Sequence, residues 1–484
     1  MPARPDSKSP TRSAPLICAA LLCAGQLIVT FPGRLVVDST QQLSQALSHR
    51  YGDWHPPVMA FVWSLLIRIT GSSGALLVLH QVLHWLGIGL IADGCYRVNM
   101  KNKAWIVLAV GAFPLFWFYD GYLLKDVGMA SALVAATGLG FWFFIQDKAL
   151  PWWVYVASAA CLVYGGLIRA NAMFALGPII YIYAIRGRKF NLLKVAGCSL
   201  LVVAAAIPLS DWINHRLIGA KSQDPLQSLQ IFDLMGIAVH SGDSRVWGER
   251  PPALDSIESC YSAYWWDTFS PWGICPEFRE QMGYVSHSET HALADEFDGV
   301  DQNLVSQRSL LWRRAIVAHP LAYAMHRLSH FNSDVYFLVP SLPSRYSKSP
   351  EVVLAGRSFT QREIYLDYLK RNFLLWPIFW LAVGACGVVL LKVPNEAPTA
   401  VAVAKSLMTS GLFYSGAYLL VGVATDYRYH YWSIMAIMLG VILAAEQIPG
   451  LFAERVWRGR VAAGVVSAVV IAGIAARMAN LRLF

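Results

Sequence analysis

Charge is what this chain has least of. Of 484 residues only 14% are Asp, Glu, Lys or Arg, against about 25% in an ordinary soluble domain. With 56% hydrophobic residues, and apolar runs recurring near the ~20 residues that cross a bilayer, this shortage excludes a soluble globular protein. Nucleic-acid recognition motifs are absent, so the formal net charge of +9 reads as Lys and Arg beside cytoplasmic helix ends and anionic lipid. No nucleic-acid partner is expected. No Asp-x-Asp pair occurs anywhere. That weakens the case for a divalent metal without closing it, and neither a resident metal nor another cofactor is expected. No Ala-x-Ala cleavage site follows the first apolar segment, 14–31, which therefore reads as an uncleaved span and not as a signal peptide.

Cysteine is also sparse. Of eight, Cys18, Cys23, Cys95, Cys161, Cys198 and Cys386 lie in or beside apolar segments and are most simply packing residues. Cys260 and Cys275 lie in the one large polar region. They are candidates for a disulfide if that region faces an oxidising compartment.

What the chain has in abundance is apolar helix. Segments 14–31, 75–91, 104–118, 129–145, 152–168, 172–185, 192–209, 373–391, 405–423, 431–445 and 461–476 read as spans, and the short run 58–69 is a further candidate. The expected fold is an all-α polytopic membrane protein of about 11 or 12 helices. Its expected parts are an N-terminal transmembrane module (1–209), a polar insert (210–372) and C-terminal transmembrane helices (373–484). The insert should be folded, because it holds Trp265, Trp266 and Trp272, whereas disordered linkers are poor in aromatics.

Basic loops orient the spans. Placing RGRK (186–189) and ERVWRGR (454–460) in the cytoplasm puts Lys125-Asp126, Arg169, the insert and Asp426 outside. The loop 33–57, with Asp38, Asp53 and His55, joins them there. One conflict stands: between Pro57 and the basic Arg97–Lys103 stretch the chain must cross an odd number of times, yet two apolar runs intervene.

Four short stretches thus meet on one face: Asp38 with Asp53-Trp54-His55, then Lys125-Asp126, then Arg169-Ala170-Asn171, then Asp426-Tyr427-Arg428-Tyr429. Ordinary roles exist for each. Lone basic groups at helix ends can snorkel, and Asp38 fits a helix N-cap. Leu43, Ala46 and Leu47 would form the apolar face of an interfacial helix. The set nevertheless has the members needed to move a sugar from a lipid phosphate. Lys125, Arg169 and Arg428 would support a phosphate leaving group. Asp38, or Asp53 in reserve, would take the proton of an acceptor hydroxyl. His55, Asp126, Asn171, Asp426 and Tyr429 complete the candidate donor site. Within the insert, Gln227, Asp233, His240 and Trp265 are candidate acceptor contacts. His326 and His330 read as packing, and Arg327 as part of a helix lying back on the membrane.

This arrangement resembles the GT-C superfamily of polyprenyl-phosphate-dependent glycosyltransferases. The matching features are an aspartate in the first external loop (Asp38), the loop ending His55-Pro56-Pro57, a carboxylate in a later loop (Asp126 in LLKDV), and the DYRYHYW segment from Asp426. The resemblance implies an undecaprenyl-phosphate-linked monosaccharide as donor and Asp38 as the group that activates the acceptor. It also implies an acceptor on the periplasmic side of a bacterial inner membrane: glycan, glycolipid or protein. Ser39 after Asp38 departs from the acidic residue common in the protein-mannosylating and lipid A branches. A ligase or polymerase using lipid-diphosphate glycans is the nearest rival. A transporter is less favoured, because midspan positions look bland and charge collects at one face.

Overall fold

The computed structural model describes residues 13–248, 251–269, 275, 302–340, 372–453 and 456–481. Among these the chain is helical, with isolated bridges and no sheet. The first half comprises α1 (Ala14–Thr30), α2 (Val37–Ser48), α3 (Val58–Thr70), α4 (Ala75–Arg97), α5 (Lys101–Gly111), α6 (Pro114–Tyr119), α7 (Lys125–Phe144), α8 (Trp152–Leu167), α9 (Met173–Ala184) and α10 (Leu192–Asp211). The described part of the insert holds α11 (Leu226–Ser241), α12 (Leu254–Cys260), α13 (Gln302–Ala318) and α14 (Pro320–Asp334). After it come α15 (Pro377–Leu390), α16 (Thr399–Val421), α17 (Tyr431–Leu443), α18 (Ile448–Ala453) and α19 (Val456–Met478).

The protein is a polytopic helical membrane protein. Among the described residues five helical segments are long and apolar enough to cross a bilayer, or six if the bent pair Tyr427–Leu443 and Ala445–Ala453 counts as one span. Five shorter apolar helices, α3 among them, accompany them. Helix α7 is almost wholly buried, packed closely on α4, where a Cβ on Gly87 would lie 2.4 Å from the backbone of Val134. Small residues at such a crossing let two backbones approach.

The crossing conflict resolves at α3. Helices α1 and α4 run antiparallel, with Trp85 Nε1 donating to Gln26 Oε1 (2.7 Å) and Gln81 Nε2 to Thr30 Oγ1 (2.8 Å). The end of α1 also lies beside the start of α7, since Arg34 N–H donates to Gly121 O at 2.9 Å. At the far end of α3 the turn presses on this same face: a Cβ on Gly74 would come within 2.5 Å of the Phe31 ring. Just before α3, His55 meets Lys125 at the start of α7. Both ends of α3 therefore sit on one face. Thirteen residues span about 20 Å, short of the ~30 Å hydrocarbon core. Arg97, Lys101 and Lys103 fall at the opposite end of α4.

One expectation is corrected, and α2 adds a buried polar face to its apolar residues. The buried face of α2 is polar (Ser39, Gln42, Gln45) with Ala46, while Leu47 is 59% exposed, so this helix turns its amides inward. The midspan positions are not uniformly bland either. His80, Gln81 and His84 are buried in α4, with His84 Nε2 3.2 Å from Gly111 O and 3.6 Å from Asp120. Burial among protein partners lets polar groups persist at that depth.

Candidate functional site

The loop after α1 delivers Asp38 on the first turn of α2. The N-cap is Val36 and not Asp38, and Ser39 Oγ, two positions into the first turn, accepts from Val36 N–H at 2.8 Å. That leaves the Asp38 carboxylate to face a cluster of charges. Its Oδ2 lies 3.0 Å from Arg428 Nη2 and 3.6 Å from Lys125 Nζ. Lys125 Nζ donates to His55 Nδ1 at 2.8 Å. This puts the imidazole proton on Nε2, 4.0 Å from Asp38 Oδ1.

A second layer holds the cations in place. Arg428 Nε lies 2.9 Å from Asp426 and 3.9 Å from Asp126. Arg169 pairs with Asp126 through Nη1, donates to Asn171 Oδ1 at 2.9 Å and to Tyr418 OH at 2.7 Å. Its guanidinium sits 4.5 Å over the Tyr429 ring, which stacks on Tyr418. The structure thus brings together Asp38, His55, Lys125, Asp126, Arg169, Asn171, Asp426, Arg428 and Tyr429. Tyr418 joins them unannounced; a tyrosine within an apolar helix carries no signal of its own.

Electrostatics follow from this crowding. Burial alone would raise the Asp38 pKa, but Arg428, then Lys125 and His55, hold the carboxyl far below its ordinary range. The His55 pKa is pushed down to about 3, chiefly by burial and then by Lys125. His55 is therefore neutral at physiological pH.

Asp53 stands elsewhere. Its Oδ1 accepts from Gln223 N–H at 2.5 Å, its N–H donates to Lys221 O, and His215 Nε2 lies 3.5 Å from Oδ2. Trp54 N–H donates to Gln223 Oε1 at 2.9 Å. These bonds clamp the first loop to the chain leaving α10, where 212–217 form a π-helical turn. Burial raises the Asp53 pKa, with Gln223 N–H and His215 acting against it.

The insert residues serve mostly its own interior. Gln227 is buried beside Gln223 O. His240 packs edge-on against Tyr261, and burial lowers its pKa. Cys260 and Cys275 are disulfide-bonded, within a core of Ile231, Leu234, Met235 and Phe269. Asp233 is fully buried, paired with Arg327, accepting from Trp312 Nε1 at 2.7 Å and 3.3 Å from His326 Nε2. That burial leaves it no open face for an acceptor. His326 and His330 pack on Phe232 as expected.

These insert residues also grip the loop that leads to Arg428. Arg327 Nη1 donates to Gly422 O at 2.6 Å, Trp266 N–H to Val423 O at 2.8 Å, and Trp265 bridges Ala424. Removing one partner of a buried ion pair costs about 3–5 kcal/mol. Arg327→Gln should accordingly lower the thermal midpoint by several degrees, measured by unfolding of the purified protein in detergent. An unchanged midpoint would contradict this account.

Among the described residues no group of three or more His, Cys, Asp or Glu side chains is placed to hold a metal ion. No protein-family model and no curated protein matches the chain. Among solved structures the chain is similar to ArnT from Cupriavidus metallidurans in the apo state. The similarity is 14% in sequence identity, covers 90% of this chain and 78% of that one, and has a TM-score of 0.29.

Proposed function

We propose that the protein is an inverting glycosyltransferase, moving one sugar from an undecaprenyl-phosphate-linked donor to an acceptor outside the cytosol. The observation that carries the reading is the shared cluster of Asp38, Arg428 and Lys125 at one membrane face. In the proposed step the acceptor oxygen bonds to the anomeric carbon as the carbon–phosphate-oxygen bond breaks. The electron pair stays on the phosphate, and the acceptor proton passes to Asp38. A single displacement inverts the centre and needs no enzyme nucleophile. Arg428, Lys125 and Arg169 would meet the growing negative charge on the phosphate.

Among the described residues, three carboxylates (Asp38, Asp126, Asp426) face three cations (Lys125, Arg169, Arg428). The disulfide on the site's side of the protein suits an oxidising compartment. The basic 186–189 stretch at the other end suits the cytoplasm. Together they favour a periplasmic site in a bacterial inner membrane, acting on a surface polysaccharide, glycolipid or protein.

The test is transfer in membranes, with defined undecaprenyl-phosphate and undecaprenyl-diphosphate sugars offered to extracted surface glycans. Transfer from the monophosphate is the expected result. Transfer from the diphosphate alone would replace this reading with a ligase or polymerase.

A further inference from the structure

We infer that Gln42, with Gln45 one turn on, forms a carbohydrate-hydroxyl subsite beside Asp38. The inference rests on the transferase reading and extends it to residues with no role in the chemistry described above. Asp38, Gln42 and Gln45 stand at i, i+4 and i+7 of α2, one stripe of a helix whose successive members lie about 5–6 Å apart at Cβ. Asp38 is the partly open end of that stripe, and the two amides continue it inward.

Gln42 is 1% exposed, and neither its Oε1 nor its Nε2 has a hydrogen-bond partner among the described residues. The Oε1 of Gln45, 5% exposed, is in the same condition. Folded chains leave few buried polar groups unpaired, because each forfeits its bonds to water. Three such atoms on the face of the proposed base point to a ligand that completes them.

The chemistry of the amide selects the ligand. A glutamine offers one carbonyl acceptor and two N–H donors. Neighbouring hydroxyls of a sugar ring, each able to donate and accept, satisfy both ends. A phosphate accepts only, would leave Oε1 unpaired, and already has its cations on α7, after α8 and before α17. The sugar is either the one carried by the donor or the one presented by the acceptor.

Gln42→Leu decides the matter, because a sugar contact and a structural amide predict opposite results. Wild type and variant are compared in membranes for transfer. In detergent they are compared for binding of bare undecaprenyl phosphate and of undecaprenyl phosphate carrying a monosaccharide. Losing such bonds is expected to weaken sugar recognition about tenfold, leave bare undecaprenyl phosphate binding unchanged, and raise the thermal midpoint, since an unpaired buried amide has gone. Weakened binding of the sugar-bearing lipid assigns the subsite to the donor. A raised acceptor KM with donor binding intact assigns it to the acceptor. Unchanged recognition of both, as when the amide binds only water, would overturn the inference. So would a lowered midpoint, or failure of both Gln42→Leu and the closer-shaped Gln42→Met to fold. If wild-type protein binds no undecaprenyl phosphate, the transferase reading itself falls and takes the subsite with it.

Discussion

Asp38→Asn should abolish sugar transfer while tightening the grip on the donor lipid. Without ligand, the Asp38 carboxylate holds Arg428 at 3.0 Å and Lys125 at 3.6 Å, the two cations that a donor phosphate would need. Phosphate and carboxylate compete for them. A carboxylate so stabilised is a weak base, and its strength returns only as the phosphate draws the cations away. In this scheme donor binding arms the base. The asparagine has no charge with which to compete, so undecaprenyl phosphate should bind about tenfold more tightly, near 1.4 kcal/mol. It also has no lone pair basic enough to take the acceptor proton. The expected loss in kcat is therefore about 10³-fold, within the usual reach of general base catalysis. Parallel titration and single-turnover transfer would measure both. Transfer at the wild-type rate would remove Asp38 as the base. Weakened binding would remove the competition.

Arg428→Lys should have the opposite signature, with donor recognition lost ahead of chemistry. The guanidinium bonds to Asp426 through Nε at 2.9 Å and to Asp38 through Nη2 at 3.0 Å, and reaches towards Asp126 at 3.9 Å. Only a planar fork spans these positions together. Lysine keeps the charge but presents one compact ammonium. The donor KM should rise about 10- to 100-fold, as expected for losing bidentate, charge-assisted bonds. Donor kinetics at fixed acceptor would read this directly. A donor KM equal to that of wild type would show that Arg428 serves the fold and not the phosphate.

Much of the architecture was legible in the chain. Scarce charge and recurrent apolar runs required a polytopic helical protein, because a bilayer admits little else made of such segments. The convergence of Asp38, Lys125, Arg169 and Arg428 followed from orientation: each ends or follows a span on the same side. Less could be read inside the loops. Asp38 and Asp53 looked alike as carboxylates in one polar stretch. Contacts with residues 170 or more positions away separate them, Arg428 for the first and Gln223 for the second.

Sequence by itself thus determined the class of protein, the face on which ionisable groups collect and the chemical kinds gathered there. These follow from composition and periodicity, which act locally. Tertiary structure alone decided that both ends of α3 lie on one face, since they are fixed by contacts with Phe31 and Lys125 and not by its own apolarity. It also decided that α2 buries amides in preference to leucines, and that Asp233 is spent on Arg327. Each depends on a partner brought close by folding, which no local pattern encodes.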